Sequence, residues 1–245
     1  MEQATLLIKS NKQLIPGIFE MRLEGNVAAI SHPGQFVNIA LPGLYLRRPI
    51  SISDYNASGI TLLYKVVGKG TALMSGMQVG EKLEVLNALG NGFHTDIPHQ
   101  HILLAGGGIG IAPLYKLAKE LHFLHKKVDV ALCFNTSSEI FYQEKFEESG
   151  ATVHIVTADG SMGTKGFITH FIQQSTTSFD YFYACGPMPM LKALSLEASF
   201  PGEVSLEARM GCGFGICMGC SIPTTHGNKR VCKEGPVFKK EEIIW

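Results

Sequence analysis

His101-Ile102-Leu103-Leu104-Ala105-Gly106-Gly107-Gly108-Ile109-Gly110-Ile111-Ala112-Pro113 decides the fold. The continuous apolar run reads as a strand buried on both faces, and Leu114 to Leu124 carries apolar residues at helical spacing. Between them, glycines bring backbone N–H groups to a helix N-terminus, which suits an anion such as a pyrophosphate. Such strand-to-helix glycines also occur merely for tight packing. The loop departs from G-x-G-x-x-G, because Ile111 stands sixth from Gly106 and Pro113 sixth from Gly108.

Toward the C-terminus the buried-strand pattern returns at Val128–Phe134, Ala151–Thr157 and Tyr181–Cys185. Helices are expected between them over Glu139–Glu148, Gly166–Gln174 and Pro187–Ser199. This alternation predicts a parallel α/β domain over residues 99–204. After the second strand, Asn135-Thr136-Ser137-Ser138 lacks the usual acidic ribose ligand, and Glu139 is the nearest acid. No Arg or Lys occupies 135–140 to pair with a 2′-phosphate, which favours NAD(H) over NADP(H). Cys185 and Gly186 fall at the carboxyl end of a parallel strand, where ligands of such sheets bind. A lone cysteine is also commonly an inert buried thiol.

Toward the N-terminus, residues 1–98 read as short strands: Ala4–Lys9, Gly17–Leu23, Gly34–Ala40, Ile50–Ser53, Ile60–Val67 and Lys82–Asn87. Turn signals such as Pro42-Gly43 separate them, and the pattern suggests an antiparallel barrel with one helix over Gly70–Met77. Arg48 and Ser51 share one strand. A guanidinium there can neutralise a pyrophosphate while a hydroxyl bonds a flavin ring or ribitol. Gly70-Thr71 opens the helix with free N–H groups for another phosphate contact.

The tail, 205–245, is too rich in glycine and cysteine for either pattern. Its spacing Cys212-x4-Cys217-x2-Cys220-x11-Cys232 matches plant-type [2Fe–2S] ligation in its first three members. Gly211, Gly213, Gly215 and Gly219 would permit the positive φ values and close approach that wrapping a cluster demands. Structural zinc and disulfides are the alternatives. Zinc ribbons pair two C-x2-C motifs, however, and only one occurs here. Cys133 is expected to be a buried strand residue.

The chain has 245 residues, with 21 Lys+Arg against 21 Asp+Glu, so it lacks the basic surplus of a nucleic-acid binder. At 45% apolar it can bury a large core, and its charged fraction of 17% hints at surface covered by cofactors or a partner. No basic segment precedes an apolar one at Met1-Glu2-Gln3-Ala4-Thr5, and no membrane span is visible. A cytoplasmic protein is therefore expected.

In order, these pieces resemble the ferredoxin-reductase-like flavoproteins. Arg48-Pro49-Ile50-Ser51 looks like the flavin strand of that family, and Leu63-Tyr64-Lys65 with Gly70-Thr71 looks like its second flavin contact. Gly107, Gly108 and Gly110 look like its nicotinamide loop, and Cys185-Gly186-Pro187 with Met190 looks like its C-G-P-x-x-M strand end. With the cysteine loop, the whole chain is similar to electron-transfer subunits of NAD-linked (type B) dihydroorotate dehydrogenases. The resemblance implies FAD, NAD and a [2Fe–2S] cluster on a flavin-binding barrel, a nicotinamide-binding α/β domain and a small cluster domain. It also implies an FMN-containing, dihydroorotate-oxidising partner in a heterotetramer of two plus two. Trp245 is not assigned the flavin-stacking role of a terminal aromatic. Two other readings stand beside this one. The first is the small subunit of an NAD-dependent ferredoxin:NADP or sulfide oxidoreductase. The second is a redox-sensing or zinc-clamped binding module without activity.

Overall fold

The computed structural model describes residues 1–245. β1 (Glu2–Ile15), β2 (Ile18–Glu24), β3 (Phe36–Ile39), β4 (Arg48–Asn56), β5 (Gly59–Lys65), α1 (Lys69–Gly76) and β6 (Lys82–Leu89) build the first unit. Its strands close into an antiparallel barrel of order β1-β2-β5-β4-β3-β6. Strand periodicity drives the closure: Leu6 and Ile8 of β1, Met21 and Leu23 of β2, and Val37 and Ile39 of β3 all point into one core. A barrel has no free edges.

The second unit holds β7 (His101–Gly107), α2 (Ala112–Phe123), β8 (Lys127–Phe134), α3 (Gln143–Glu148), β9 (Thr152–Thr157) and β10 (Thr164–Lys165). It continues through α4 (Ile168–Gln174), β11 (Tyr181–Cys185), α5 (Met188–Glu197) and β12 (Gly202–Ser205). The tail adds a hairpin, β13 (Ser221–Thr224) with β14 (Gly227–Arg230), and then β15 (Val237–Lys239). The sheet order is β10-β9-β8-β7-β11-β12-β15, parallel except for the last pair. The central strands are apolar throughout because helices cover both faces.

Two sequence expectations need correcting. The helix expected over Glu139–Glu148 is broken into a 3₁₀ turn at Ser137–Glu139 and α3 from Gln143. Tyr142 between them takes φ 66°, its ring packs edge-on to Tyr115, and its hydroxyl donates to Glu20 Oε2 of the barrel at 2.6 Å. A tertiary contact overrides helix propensity there. The cysteine-rich tail is also not all loop: Val237-Phe238-Lys239 pairs antiparallel with β12 and fastens the tail to the α/β sheet.

The barrel and the sheet are pinned together beside α2. Tyr55 donates its hydroxyl to Glu120 Oε1 at 2.9 Å, and Lys119 Nζ meets Asp54 Oδ2 at 2.6 Å. No helix is long and apolar enough to cross a membrane.

Candidate functional site

An open cleft of about 690 Å³ lies at the carboxyl ends of the parallel strands, where β7, β8 and β11 deliver their loops. Gly107, Gly108 and Gly110 line it from β7, Gly186 and Pro187 from β11, and Asn135 and Glu139 from the end of β8. Lys65, the last residue of barrel strand β5, lines the same cleft. Phe167, Thr169 and Glu207 complete its rim.

The glycines do different work. A Cβ on Gly110 would stand 2.5 Å from the Cys185 carbonyl oxygen, and one on Gly107 would stand 2.6 Å from Met190 Sδ. These two let the β7 and β11 turns touch. Gly108 instead has φ +54° and open space at its missing Cβ, so it is the glycine that presents bare backbone to the cleft.

Glu139 is a residue that strand-end counting missed. The 3₁₀ turn folds it back, and its carboxylate accepts from Asn135 N at 3.2 Å and Asn135 Nδ2 at 3.0 Å. An acid therefore does stand in the cleft at the end of the second parallel strand. Its signal in the sequence was the four-residue spacing from Asn135. Cys133 also differs from expectation, since it is partly exposed and lines the cleft. Protein packed around its sulfur still desolvates the thiolate and pushes the thiol up to about 12. Cys185 is buried beneath Gly186, and burial, followed by the nearby Glu207 charge, pushes its thiol up to about 12. A thiol so held is no nucleophile at neutral pH. Crowding by neighbouring protein at the cleft rim raises the Glu207 carboxyl, though the residue is exposed.

On the barrel, Arg48, Pro49, Ile50 and Ser51 occupy the half-exposed start of β4. A Cβ on Gly70 would collide with the Arg48 side chain, so the guanidinium lies against the opening turn of α1. Cation and helix N-terminus converge there, as a pyrophosphate requires. The Thr71 hydroxyl is spent within its own loop, accepting from Val67 N at 2.9 Å and donating to the Gly68 carbonyl at 3.2 Å. Leu63 and Tyr64 are buried, and Tyr64 stacks on Phe19 and donates to Asn11 Oδ1 at 2.8 Å. Of Leu63-Tyr64-Lys65, only Lys65 reaches the cleft.

In the tail the four thiols fall into two pairs. Cys212 Sγ accepts from Cys217 N at 3.5 Å and Ile216 N at 3.3 Å, and Cys217 Sγ accepts from Cys212 N at 3.4 Å. Cys220 Sγ accepts from Cys232 N at 3.4 Å. Burial would raise the Cys212 thiol, but backbone N–H groups of Cys217, Phe214 and Ile216 outweigh it and bring it down to about 6. Burial, with Cys220 alongside, pushes Cys232 up to about 12. All four are free thiols. Two pairs ringed by N–H donors suit an iron–sulfur cluster, in which thiolates bind iron and amides face sulfur. Gly213 and Gly215 take φ +77° and +91°, as the wrapping requires. Gly211 and Gly219 do not, but both sit against the Cys217 thiol, and the extra left-handed residue is Met218 at φ 59°.

Cleft, barrel and cysteine loop together define an oxidoreductase of the ferredoxin-reductase-like FAD/NAD-binding class with an iron–sulfur cluster-binding domain. The family "Oxidoreductase NAD-binding domain" matches residues 104–195, and "Iron-sulfur cluster binding domain of dihydroorotate dehydrogenase B" matches 207–244. The electron transfer subunit of dihydroorotate dehydrogenase B (NAD(+)) of Geobacillus sp. (strain WCH70) is 44% identical over 100% of this chain and 99% of its own length. That of Fusobacterium nucleatum is 39% identical over 96% of both. A structure of an NADH-dependent reduced ferredoxin-NADP oxidoreductase superposes with a TM-score of 0.90 at 30% identity, covering 99% of this chain and 90% of that one. The chain belongs to the family of electron transfer subunits of NAD-dependent dihydroorotate dehydrogenase B. Membership as a subunit implies a catalytic partner.

Proposed function

We propose that this subunit links an FMN-containing, dihydroorotate-oxidising partner to NAD⁺ through a [2Fe–2S] cluster and FAD, as two copies of each chain in the cytoplasm. When bound, FAD and the cluster supply exchange between a hydride's two electrons and single-electron steps. Arg48 and the N-terminus of α1 would hold the FAD pyrophosphate, and Ser51 would bond the flavin. Gly108 would offer backbone N–H to the NAD pyrophosphate, and Glu139 would accept from an adenosine ribose hydroxyl while repelling a 2′-phosphate. Cys212 with Cys217, and Cys220 with Cys232, would each supply two thiolates to one iron.

One observation carries this reading: Lys65 of the barrel and Gly108 of the nucleotide loop line a single cleft, so flavin and nicotinamide would meet there. Six free cysteines suit a reducing compartment. The test is the visible spectrum of the purified chain, with iron, acid-labile sulfide and flavin analysis. Two irons, two sulfides and one FAD per chain are expected; stoichiometric zinc without visible absorbance would refute the assignment. Cys217→Ser should lose iron and transfer to the partner while FAD is retained. Light scattering of the complex should give two copies of each chain. The close match to the NADH-dependent ferredoxin-NADP oxidoreductase structure supports a second reading with another flavoprotein partner. Capture of a dihydroorotate-oxidising subunit decides against it.

A further inference from the structure

We propose that Asn38 is a positioning residue that fastens the first turn of the cysteine loop to the flavin strand of the barrel and so sets the separation between the two redox centres. The inference rests on the functional reading above.

All four residues of β3 are buried, and Asn38, 1% exposed, is the polar one among them. Strand alternation sends Val37 and Ile39 into the barrel core. Phe36 faces the other way, into the cluster of side chains that contains Cys220 and Cys232. Asn38 shares the face of Phe36, so the tail covers it. Its Nδ2 donates to the Cys212 carbonyl at 3.0 Å. Its Oδ1 is buried with no donor.

That orphan acceptor is informative. A buried acceptor without a partner is costly, and an apolar side chain of similar size would avoid the cost. Barrel packing alone therefore does not explain an amide in this apolar strand. The bond to Cys212 does. The loop is shaped to receive it: a Cβ on Gly213 would collide with Asn38 Nδ2, and Gly213 stands at φ +77°.

The other side of Asn38 is the flavin strand. In register, Phe36 pairs with Ser51, Val37 with Ile50, Asn38 with Pro49 and Ile39 with Arg48. One residue thus belongs to the strand beside Arg48–Ser51 and also holds the backbone of the first cluster ligand. Single-electron transfer weakens steeply with distance, so a loop freed from this anchor would pass electrons more slowly even with every ligand in place.

The test uses the full chain in complex with its partner, as wild type, Asn38→Ala, Gly213→Ala and the double variant. Iron, sulfide and FAD contents are measured first, because their absence from wild type would refute the functional reading rather than the role of Asn38. Anaerobic stopped-flow then follows NADH-driven flavin bleaching and cluster reduction, and EPR records the dithionite-reduced cluster. Asn38→Ala should keep its cofactors and wild-type flavin bleaching; Gly213→Ala also strains the wrapping turn at φ +77°, so its rates are read per bound cluster. Cluster reduction should slow about tenfold in each, a loss of the size that small misplacements produce, with an altered EPR line shape. The double variant should be no slower than the slower single variant, because both remove one contact. Wild-type cluster reduction in Asn38→Ala, or additive losses in the double variant, would overturn the proposal. So would loss of iron from Asn38→Ala alone, since the side chain would then retain the cluster rather than place it.

Discussion

Gly108 and Gly110 stand two residues apart in one loop and answer to different constraints. Gly110→Ala would drive a methyl group into the Cys185 carbonyl, 2.5 Å away, where both partners are backbone and cannot yield. Overpacking of this kind costs about 1–3 kcal/mol, so its urea midpoint should fall clearly. Gly108→Ala meets open space but must hold φ +54°, at about 1–2 kcal/mol, and its methyl enters the cleft. It should weaken NADH binding more than it lowers stability, and Gly110→Ala should do the reverse. Calorimetric titration with NADH and urea unfolding of both variants check this. If Gly110→Ala unfolds at the wild-type midpoint, its assigned role is wrong. The sequence marked both glycines as places of close approach without saying what approaches. Likewise, Leu63-Tyr64-Lys65 read as one flavin contact, but strand packing hides Leu63 and Tyr64 and leaves Lys65 in the cleft.

Among the elements, the neighbouring strands β9, β8 and β7 share a polar tie. Asp129 of β8 sits between His101 of β7, whose Nε2 meets Oδ2 at 2.7 Å, and His154 of β9, whose Nε2 meets Oδ1 at 2.6 Å. Burial would raise this carboxyl, but the bonds from His154 and His101 outweigh it and hold it below the ordinary 3.8. A carboxyl with a lowered folded value stabilises the fold above its unfolded value and loses that contribution as pH falls through the folded one. Asp129→Asn should therefore cost about 1–3 kcal/mol at neutral pH. The deficit should shrink below the ordinary 3.8, seen as converging urea midpoints at pH ~7 and pH ~3. A deficit independent of pH would show that shape, not charge, matters at this position. Alternation and apolar runs made the barrel and the central strands legible, because those patterns record burial directly. β12 and β15 were not legible, since strands of four and three residues carry too little periodicity. The break at Tyr142 was hidden because its cause, Glu20, lies on the barrel. Four-cysteine spacing predicted ligation, but which thiols stand together was set by the fold.

At the scale of the molecule, the low charged fraction acquires a location. Cys217 is exposed, and the side chains on either side of it, Ile216 and Met218, are 76% and 52% exposed. Tyr45, fully exposed, lies in the loop from which Arg47 Nη1 donates to the Asn38 carbonyl at 3.5 Å, and Asn38 in turn donates to Cys212 of the cysteine loop. An apolar rim around Cys217 is where a partner subunit gains most from burying surface, about 1.5–3 kcal/mol for each large side chain covered. A lysine at Ile216 would both forfeit that gain and desolvate a charge. Ile216→Lys should weaken association with the catalytic subunit by tenfold or more, at about 1.4 kcal/mol per factor of ten, while iron and FAD contents stay at wild-type levels. Phe123→Lys, 81% exposed at the far end of α2, supplies the control and should leave association unchanged. Sedimentation velocity over a concentration series reads both. Should Ile216→Lys assemble like wild type, or Phe123→Lys fail to assemble, the partner docks on another face and the cysteine loop is not its contact.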